Sequence, residues 1–223
     1  MDNWRNNTIW FEQIPDDLQA CLNLKEDKFN EMLLENIEYL TFWYHKKNKL
    51  GNFLGMPENL LYLELNWSNI HDFLGVEKMN KLKRLELHYC TKLQNDFGLS
   101  GLADTLEYLH INQSKKFVPN EELFSLKNLR VLCLNSCGNL ENLNFLNHFP
   151  NLIDFRFVDT NVLDGDLSPI LEHPTIRSVG FLNKRHYNIK DDKMDAFLKD
   201  KNGGGEFKTV INYGEYETFR YIY

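Results

Sequence analysis

One feature constrains this chain more than any other: an apolar phrase that returns every 22–24 residues. It is clearest from Asn128 to Leu146, NLRVLCLNSCGNLENLNFL, where Leu129, Leu132 and Leu134 are followed by Cys137, Leu140, Leu143 and Leu146. The first apolar residue of the phrase falls at Ile37, Leu60, Leu82, Leu106, Leu129, Leu152 and Ile176, giving spacings of 23, 22, 24, 23, 23 and 24. The second and third apolar positions keep step as Leu40/Phe42, Leu63/Leu65, Leu85/Leu87, Leu109/Ile111, Leu132/Leu134, Phe155/Phe157 and Val179/Phe181. A fixed period of this length marks a stacked architecture in which one supersecondary unit is repeated.

The pattern LxL places two residues on one side of an extended chain and one on the other, the alternation of a strand. A single such strand cannot bury its apolar face. Stacked copies can, by forming a parallel sheet whose inner side shares one core. The segments between phrases, such as Asn120 to Lys127 and Glu141 to His148, leave room for a 3₁₀ turn or a short helix and no more. Three residues past the last strand leucine sits Ser68, Cys90, Ser114, Cys137 or Thr160, a small residue able to satisfy backbone groups where the chain turns inward.

From about Asn36 to Asn183 the chain resembles a leucine-rich-repeat (LRR) protein, a family that carries Asn, Cys or another small hydrogen-bonding residue at that place after the strand. The expected fold class is α/β: an LRR solenoid with a parallel β-sheet on the concave face, short 3₁₀, helical or irregular convex segments, and a cap at each end. Residues 1–223 read as a single domain, with 1–35 as N-terminal cap, 36–183 as about seven repeats and 184–223 as C-terminal cap. In the N-terminal cap, Asp16 or Asp17 suits a helix start, Leu18, Leu22, Leu24, Phe29, Met32 and Leu33 are spaced like amphipathic turns, and a small helical or strand cap is expected to pack Trp4, Trp10 and Phe11 on the open end of the first repeat. In the C-terminal cap, Asp191 to Lys199 reads as a helix, Gly203 to Gly205 as a break, and Phe207 onward as a last strand followed by the aromatic run of Tyr216 to Tyr223. The C-terminal cap is expected to hide the final sheet edge.

Function in such a fold belongs on the outward side of the inner sheet, and the repeat assigns those positions. Just before the second apolar residue stand Tyr39, Tyr62, Arg84, Tyr108, Val131, Asp154 and Ser178. Between the second and third stand Thr41, Glu64, Glu86, His110, Cys133, Arg156 and Gly180. Just after the third come Trp43, Asn66, His88, Asn112, Asn135, Val158 and Leu182, and then Tyr44, Trp67, Tyr89, Gln113, Ser136, Asp159 and Asn183. A cluster of Tyr39, Trp43, Tyr44, Tyr62, Trp67, Tyr89 and Tyr108 is rarely left in water, and Tyr and Trp dominate protein–protein hot spots. Around them Glu64, Arg84, Glu86, His88, His110, Asp154, Arg156 and Asp159 are suited to polar pairing. The sequence therefore points to a partner-binding face made of these residues. The alternative is that the N-terminal cap or its loops cover some of the rings.

Composition narrows the partner. Charged residues make up 26% of the chain, hydrophobic ones 43%, and the formal net charge is -7. An acidic balance with no Lys/Arg stripe argues against nucleic acid, and no run approaches the length of a membrane span. A protein partner, favourably a basic one, fits better. The start of the chain lacks the apolar core of a signal peptide, and four cysteines without CxxC spacing fit a reducing compartment, so a cytoplasmic location is expected. Cys90 and Cys137, at the small-residue position, read as structural thiols.

A second resemblance lies near the C-terminus. The stretch Asp164 to Tyr187, DGDLSPILEHPTIRSVGFLNKRHY, is similar to the ending of short bacterial LRR proteins, many of which resemble immunity proteins of polymorphic or contact-dependent toxin systems. The matching residues are Asp164, Gly165, Asp166, Leu167, Ser168 and Pro169, then Asn183, Lys184, Arg185, His186 and Tyr187. The resemblance implies a bacterial immunity protein that neutralises a cognate toxin by occlusion. An intracellular scaffold or an exported host-interaction effector would use the same surface. Read as structure, Ser168 caps and Pro169 opens a short helix, while Lys184 to Tyr187 ends the stack.

A catalytic reading also has to be weighed. Glu86, His110 and Cys133 occupy one column on three successive strands, the order of a nucleophilic triad, and Arg156 on the next strand would favour a thiolate. An open sheet offers neither an oxyanion hole nor exclusion of water, so no catalytic residue is assigned and a cysteine-dependent hydrolase stays a remote alternative. No GxGxxG, Walker-type or HExxH motif occurs. Neither cofactor nor metal is expected.

Overall fold

The computed structural model describes residues 2–26, 34–50, 58–202, 207–213 and 216–222. Eight strands form one parallel sheet in chain order: β1 (Gln19–Asn23), β2 (Tyr39–Trp43), β3 (Tyr62–Asn66), β4 (Arg84–His88), β5 (Tyr108–Asn112), β6 (Val131–Asn135), β7 (Asp154–Arg156) and β8 (Ser178–Gly180). Each pairs in register with the next, so Tyr39 faces Tyr62, Tyr62 faces Arg84 and Arg84 faces Tyr108. The turns behind the sheet are short, as the repeat length requires. They include 3₁₀ turns at Val76–Lys78, Leu99–Leu102 and Asn144–His148 and the helices α1 (Glu121–Phe124) and α2 (Ser168–Glu172). This is a leucine-rich-repeat solenoid.

The phrase residues carry the core. Leu63, Leu85, Leu109, Leu132 and Phe155 line one inward row and Leu65, Leu87, Ile111, Leu134 and Phe157 the next, all fully buried. Each Leu or Phe so enclosed contributes about 1.5–3 kcal/mol. Toward the C-terminal end the rows turn aromatic, and Phe157 stacks on Phe155 and on Phe181 at 5.1 Å between centroids.

The small residues after the strands tie neighbouring repeats together. Ser114 Oγ donates to the Cys90 carbonyl at 3.1 Å, Thr160 Oγ1 donates to the Leu134 carbonyl at 2.6 Å, and the Cys137 N–H donates to Thr160 Oγ1 at 2.9 Å. Cys90 and Cys137 point their sulfurs at the Leu65 and Ile111 carbonyls, and burial pushes both thiols up to about 12. They are structural thiols in geometry and in electrostatics.

The ends of the chain depart from expectation in three ways. First, β1 is an eighth strand within the stretch read as cap. Its sequence QACLN puts Ala20 where other repeats have Leu, Phe or Val, which hides the phrase. Asp16–Leu18 is a 3₁₀ turn without a side-chain cap, and Phe29, Met32 and Leu33 lie outside the described residues. Second, the segment from Asn3 to Ile14 does not cover the end of the stack. It lies across the concave face, where Ile9, Phe11 and Ile14 pack on Tyr39 and Tyr62. Third, the C-terminal cap is divided: α3 (Asp191–Asn202) flanks the final sheet edge as expected, with Met194 and Leu198 buried. The antiparallel hairpin of β9 (Phe207–Tyr213) and β10 (Tyr216–Tyr221) instead sends Phe219 and Tyr221 back onto Tyr108, Val131 and Cys133 in the middle of the sheet. The expected break at Gly203 to Gly205 lies outside the described residues.

The stretch with the second resemblance closes the stack. Tyr187 is buried, its OH accepting from the Val162 N–H at 3.1 Å and donating to the Thr160 carbonyl at 3.3 Å. Gly165 holds a left-handed conformation (φ 71°), and a Cβ there would lie 2.4 Å from the His186 carbonyl oxygen. Leu167, rather than Ser168, stands at the N-cap of α2 and makes no side-chain cap, and Asp166 Oδ1 accepts from the Ser168 N–H at 3.0 Å.

One buried base makes this stack pH-sensitive. His45 is enclosed, with Nδ1 3.0 Å from Ser68 Oγ. Burial, with the charge of Lys47 adding, lowers its pKa to about 4. The folded state therefore resists a proton that the unfolded chain accepts near pH 6.5. The contribution of His45 to stability is complete above that pH and is lost as pH falls from about 6.5 toward 4. Thermal melts across that window are expected to show a steeper decline for the native protein than for His45→Gln.

Candidate functional site

The concave face is divided lengthwise. Its strand-start column is covered, and its strand-end column and rim are open. Tyr39, Tyr62, Arg84, Tyr108 and Asp154, expected to present themselves to a partner, are instead at most 5% exposed. The reason is the pair of chain ends. The N-terminal segment runs over the starts of β2 to β4, and β10 over those of β5 to β7. They meet where Asn6 pairs antiparallel with Arg220, the Asn7 N–H donates to the Phe219 carbonyl at 2.9 Å, and Arg220 Nε donates to Asn6 Oδ1 at 2.8 Å.

Two charged residues hold the ends down. Arg84 donates to the carbonyl oxygens of Trp4 at 3.0 Å, Asn6, and Asn7 at 3.1 Å, and to Glu86 Oε1 at 2.6 Å. Its guanidinium also lies 3.7 Å from the centroid of the Tyr108 ring, a stacking that suits a weakly hydrated planar cation. Asp154 accepts from the Tyr221 hydroxyl at 2.6 Å and from Arg156 at 3.1 Å through the same Oδ2. Burial raises the pKa of Asp154, with Arg156 opposing. Glu86 is also buried, so it too leaves the expected open surface, but desolvation is outweighed by Arg84 and the two neighbouring histidines, and its pKa falls well below the usual carboxylate range.

On the open half, the structure brings Glu64, Glu86, His88 and His110 together. Glu86 Oε2 receives His88 Nε2 at 3.0 Å and His110 Nδ1 at 3.4 Å, and Glu64 Oε1 lies 4.0 Å from His88 Nε2. Glu64 also accepts from Thr41, Tyr62 and Asn66. Beyond the strand ends runs the rim of Tyr44, Trp67, Tyr89, Gln113, Ser136 and Asp159, every one at positive φ, between 49° and 63°. Five of them continue the sheet ladder through their N–H groups, for example Trp67 to the His88 carbonyl at 2.9 Å and Tyr89 to that of Asn112 at 3.0 Å. Trp67 and Tyr89 are 48% and 42% exposed, with rings stacked at 4.6 Å and 4°. Lys25 sits 3.5 Å over the Tyr44 ring, and Trp43 lies beside it. Arg156 is part-exposed next to Ser178, and Asp159 accepts from Ser136 Oγ at 3.1 Å.

The catalytic row is only half assembled. Glu86 meets His110, but the other ring nitrogen of His110 is 3.0 Å from Asn135 Nδ2, so neither nitrogen is directed at Cys133. Cys133 is 2% exposed, beneath Tyr221. Burial and the charge of Asp154 raise its pKa far above the thiol range, and Arg156 only partly offsets them. A buried neutral thiol without a base is no nucleophile, so the Glu86/His110/Cys133 hydrolase reading is corrected. Away from this face, an open trough of about 760 Å³ lies between successive outer turns, lined by residues including Val118, Phe124, Phe145 and Leu163. No helix among the described residues is long and apolar enough to cross a membrane.

The sequence signal that could have warned of the covered column is its composition. Val131 and three tyrosines at the strand starts are more apolar than a free face needs, and the one acid in the column of Arg84, Asp154, stands three strands away from it.

No family model and no curated protein matches this chain. Seven solved chains match it. One is an internalin from Listeria monocytogenes, 14% identical over 70% of this chain, with a TM-score of 0.32; the chain spans 59% of that protein's length.

Arg84→Ala would leave buried carbonyls and Glu86 without their partner, a loss of about 3–5 kcal/mol that chemical denaturation reads directly. Iodoacetamide applied to the native protein should modify the exposed Cys21 first and leave Cys133 untouched until the protein unfolds.

Proposed function

We propose that this protein is a non-catalytic binding module that grips a protein partner along the open half of its concave face, through Trp43, Tyr44, Glu64, Trp67, His88, Tyr89, His110, Arg156 and Asp159. The observation that carries this reading is the exposed Trp67–Tyr89 stack on the left-handed rim. A non-glycine residue at positive φ costs about 1–3 kcal/mol, and Gly or Asn would hold that turn at lower cost. Large aromatics kept there, half in solvent, serve something other than the fold, and Trp and Tyr are the side chains that anchor interfaces. The net charge of -7 favours a basic partner.

The finer reading is a cytoplasmic bacterial immunity protein that occludes a cognate toxin. What supports it is the resemblance of Asp164 to Pro169 and Asn183 to Tyr187 to the endings of such proteins. A scaffold or an exported effector would need the same rim but a different partner. Co-expression with the product of the neighbouring reading frame separates them: immunity requires a stable complex and rescue of cell growth.

For that complex, Trp67→Ala with Tyr89→Ala is expected to weaken binding about 100-fold or more, each ring being worth about 2 kcal/mol at an interface centre. The melting temperature should barely move, because both side chains are already exposed. Unchanged affinity would place the interface on another surface.

A further inference from the structure

The cluster at the centre of the open half has a chemistry of its own. Glu86 and His88 alternate on β4 and so share a face. His110 stands in register with Glu86 on β5. Arg84 occupies Glu86 Oε1, which leaves Oε2 turned toward the two imidazoles. One carboxylate oxygen and one nitrogen from each ring thus converge, all within 4.8 Å of one another, and both rings are part-exposed, so an ion can reach them from solvent. Ligand bonds of about 2.0–2.2 Å require the histidine nitrogens to close on each other by roughly an ångström, within reach of small side-chain rotations. Two histidines and one carboxylate with open positions suit divalent first-row transition ions rather than calcium or magnesium. Glu64, 4.0 Å from His88 Nε2, adds negative charge that offsets the Arg84 cation.

We infer that Glu86, His88 and His110 form a binding site for a divalent transition ion of the zinc type. The neighbouring amides set its strength. The Val158 N–H donates to Asn135 Oδ1 at 2.9 Å, which fixes that amide and turns its Nδ2 toward His110 Nε2 at 3.0 Å. His110 Nε2 is therefore an acceptor, and Nδ1 carries the hydrogen that points at Glu86. Binding an ion at Nδ1 moves that hydrogen to Nε2, where it meets an amide donor. Asn135 thus holds the ring in the wrong tautomer for the ion, and the native site is weak. An oxygen in place of Nδ2 would favour the ligating tautomer, the role that second-shell carboxylates play for metal-bound histidines.

The test needs no knowledge of the protein partner. Protein without a histidine tag and carrying Cys21→Ser, which removes the exposed thiol, is dialysed to equilibrium against zinc chloride. One saturable zinc per chain is expected, with affinity falling at least tenfold in His88→Ala and again in His110→Ala. Asn135→Asp is expected to tighten binding about tenfold, more than Gln113→Asp, which adds the same charge one rim position away. The replaced rings are part-exposed, so circular dichroism melts should confirm that each variant folds. Zinc binding that survives both histidine substitutions would overturn the assignment, as would no saturable binding in both the parent and Asn135→Asp.

Discussion

A guanidinium enclosed among backbone carbonyls decides which part of this molecule meets solvent. Arg84 is 2% exposed, yet its charge is shared among three N-terminal carbonyls, Glu86 and the face of Tyr108. A buried cation is tolerated only when its hydrogen-bonding capacity is filled, and here the filling atoms belong to a distant segment of chain. The N-terminal strap is therefore required by the sheet as much as it is held by it. With the strap in place, the strand starts are shut and the strand ends are open.

The repeat made most of the architecture legible in advance. Period 2 within each phrase and a period of 22–24 between phrases fix the inward rows, and every leucine of those rows from β3 to β6 is buried. The strand register, the short outer turns, the closing role of Tyr187 and the helix at Asp191 follow from the same local rules. The site was legible only in part. Periodicity says which side of the sheet a residue faces. It does not say what else in the chain comes to lie there. Tyr62 and Trp67 read alike in sequence, and one is sealed while the other is half exposed, because Ile9, Phe11 and Ile14 reach the first and not the second. β1 is hidden in the sequence for a related reason: Ala20 fills a leucine position at the end of the sheet, where β2 is its one neighbouring strand among the described residues.

The open half combines two kinds of surface that pull in different directions. The rim is aromatic and conformationally costly, a rigid edge suited to being covered. The Glu64, Glu86, His88 and His110 group beside it is polar and already hydrogen-bonded to itself. A protein docking on the rim would desolvate that group and strengthen every charge interaction within it. The two surfaces share strands β3 to β5, so anything that reorganises one lies within a strand spacing of the other, about 4.8 Å.

A solenoid ordinarily links each unit only to its neighbours, but Arg220 and Asn6 clasp each other across 214 positions of sequence. That clasp has a temporal consequence. Ribosomes extend a chain at about 5–20 residues per second, and strands β1 to β7 can stack as soon as they emerge. The hairpin bearing Phe219 and Tyr221 emerges after all of them. For seconds during synthesis the nascent protein therefore leaves Tyr108, Val131 and Asp154 uncovered, and only the arrival of Phe219 and Tyr221 lets a lid of its own making shut over them.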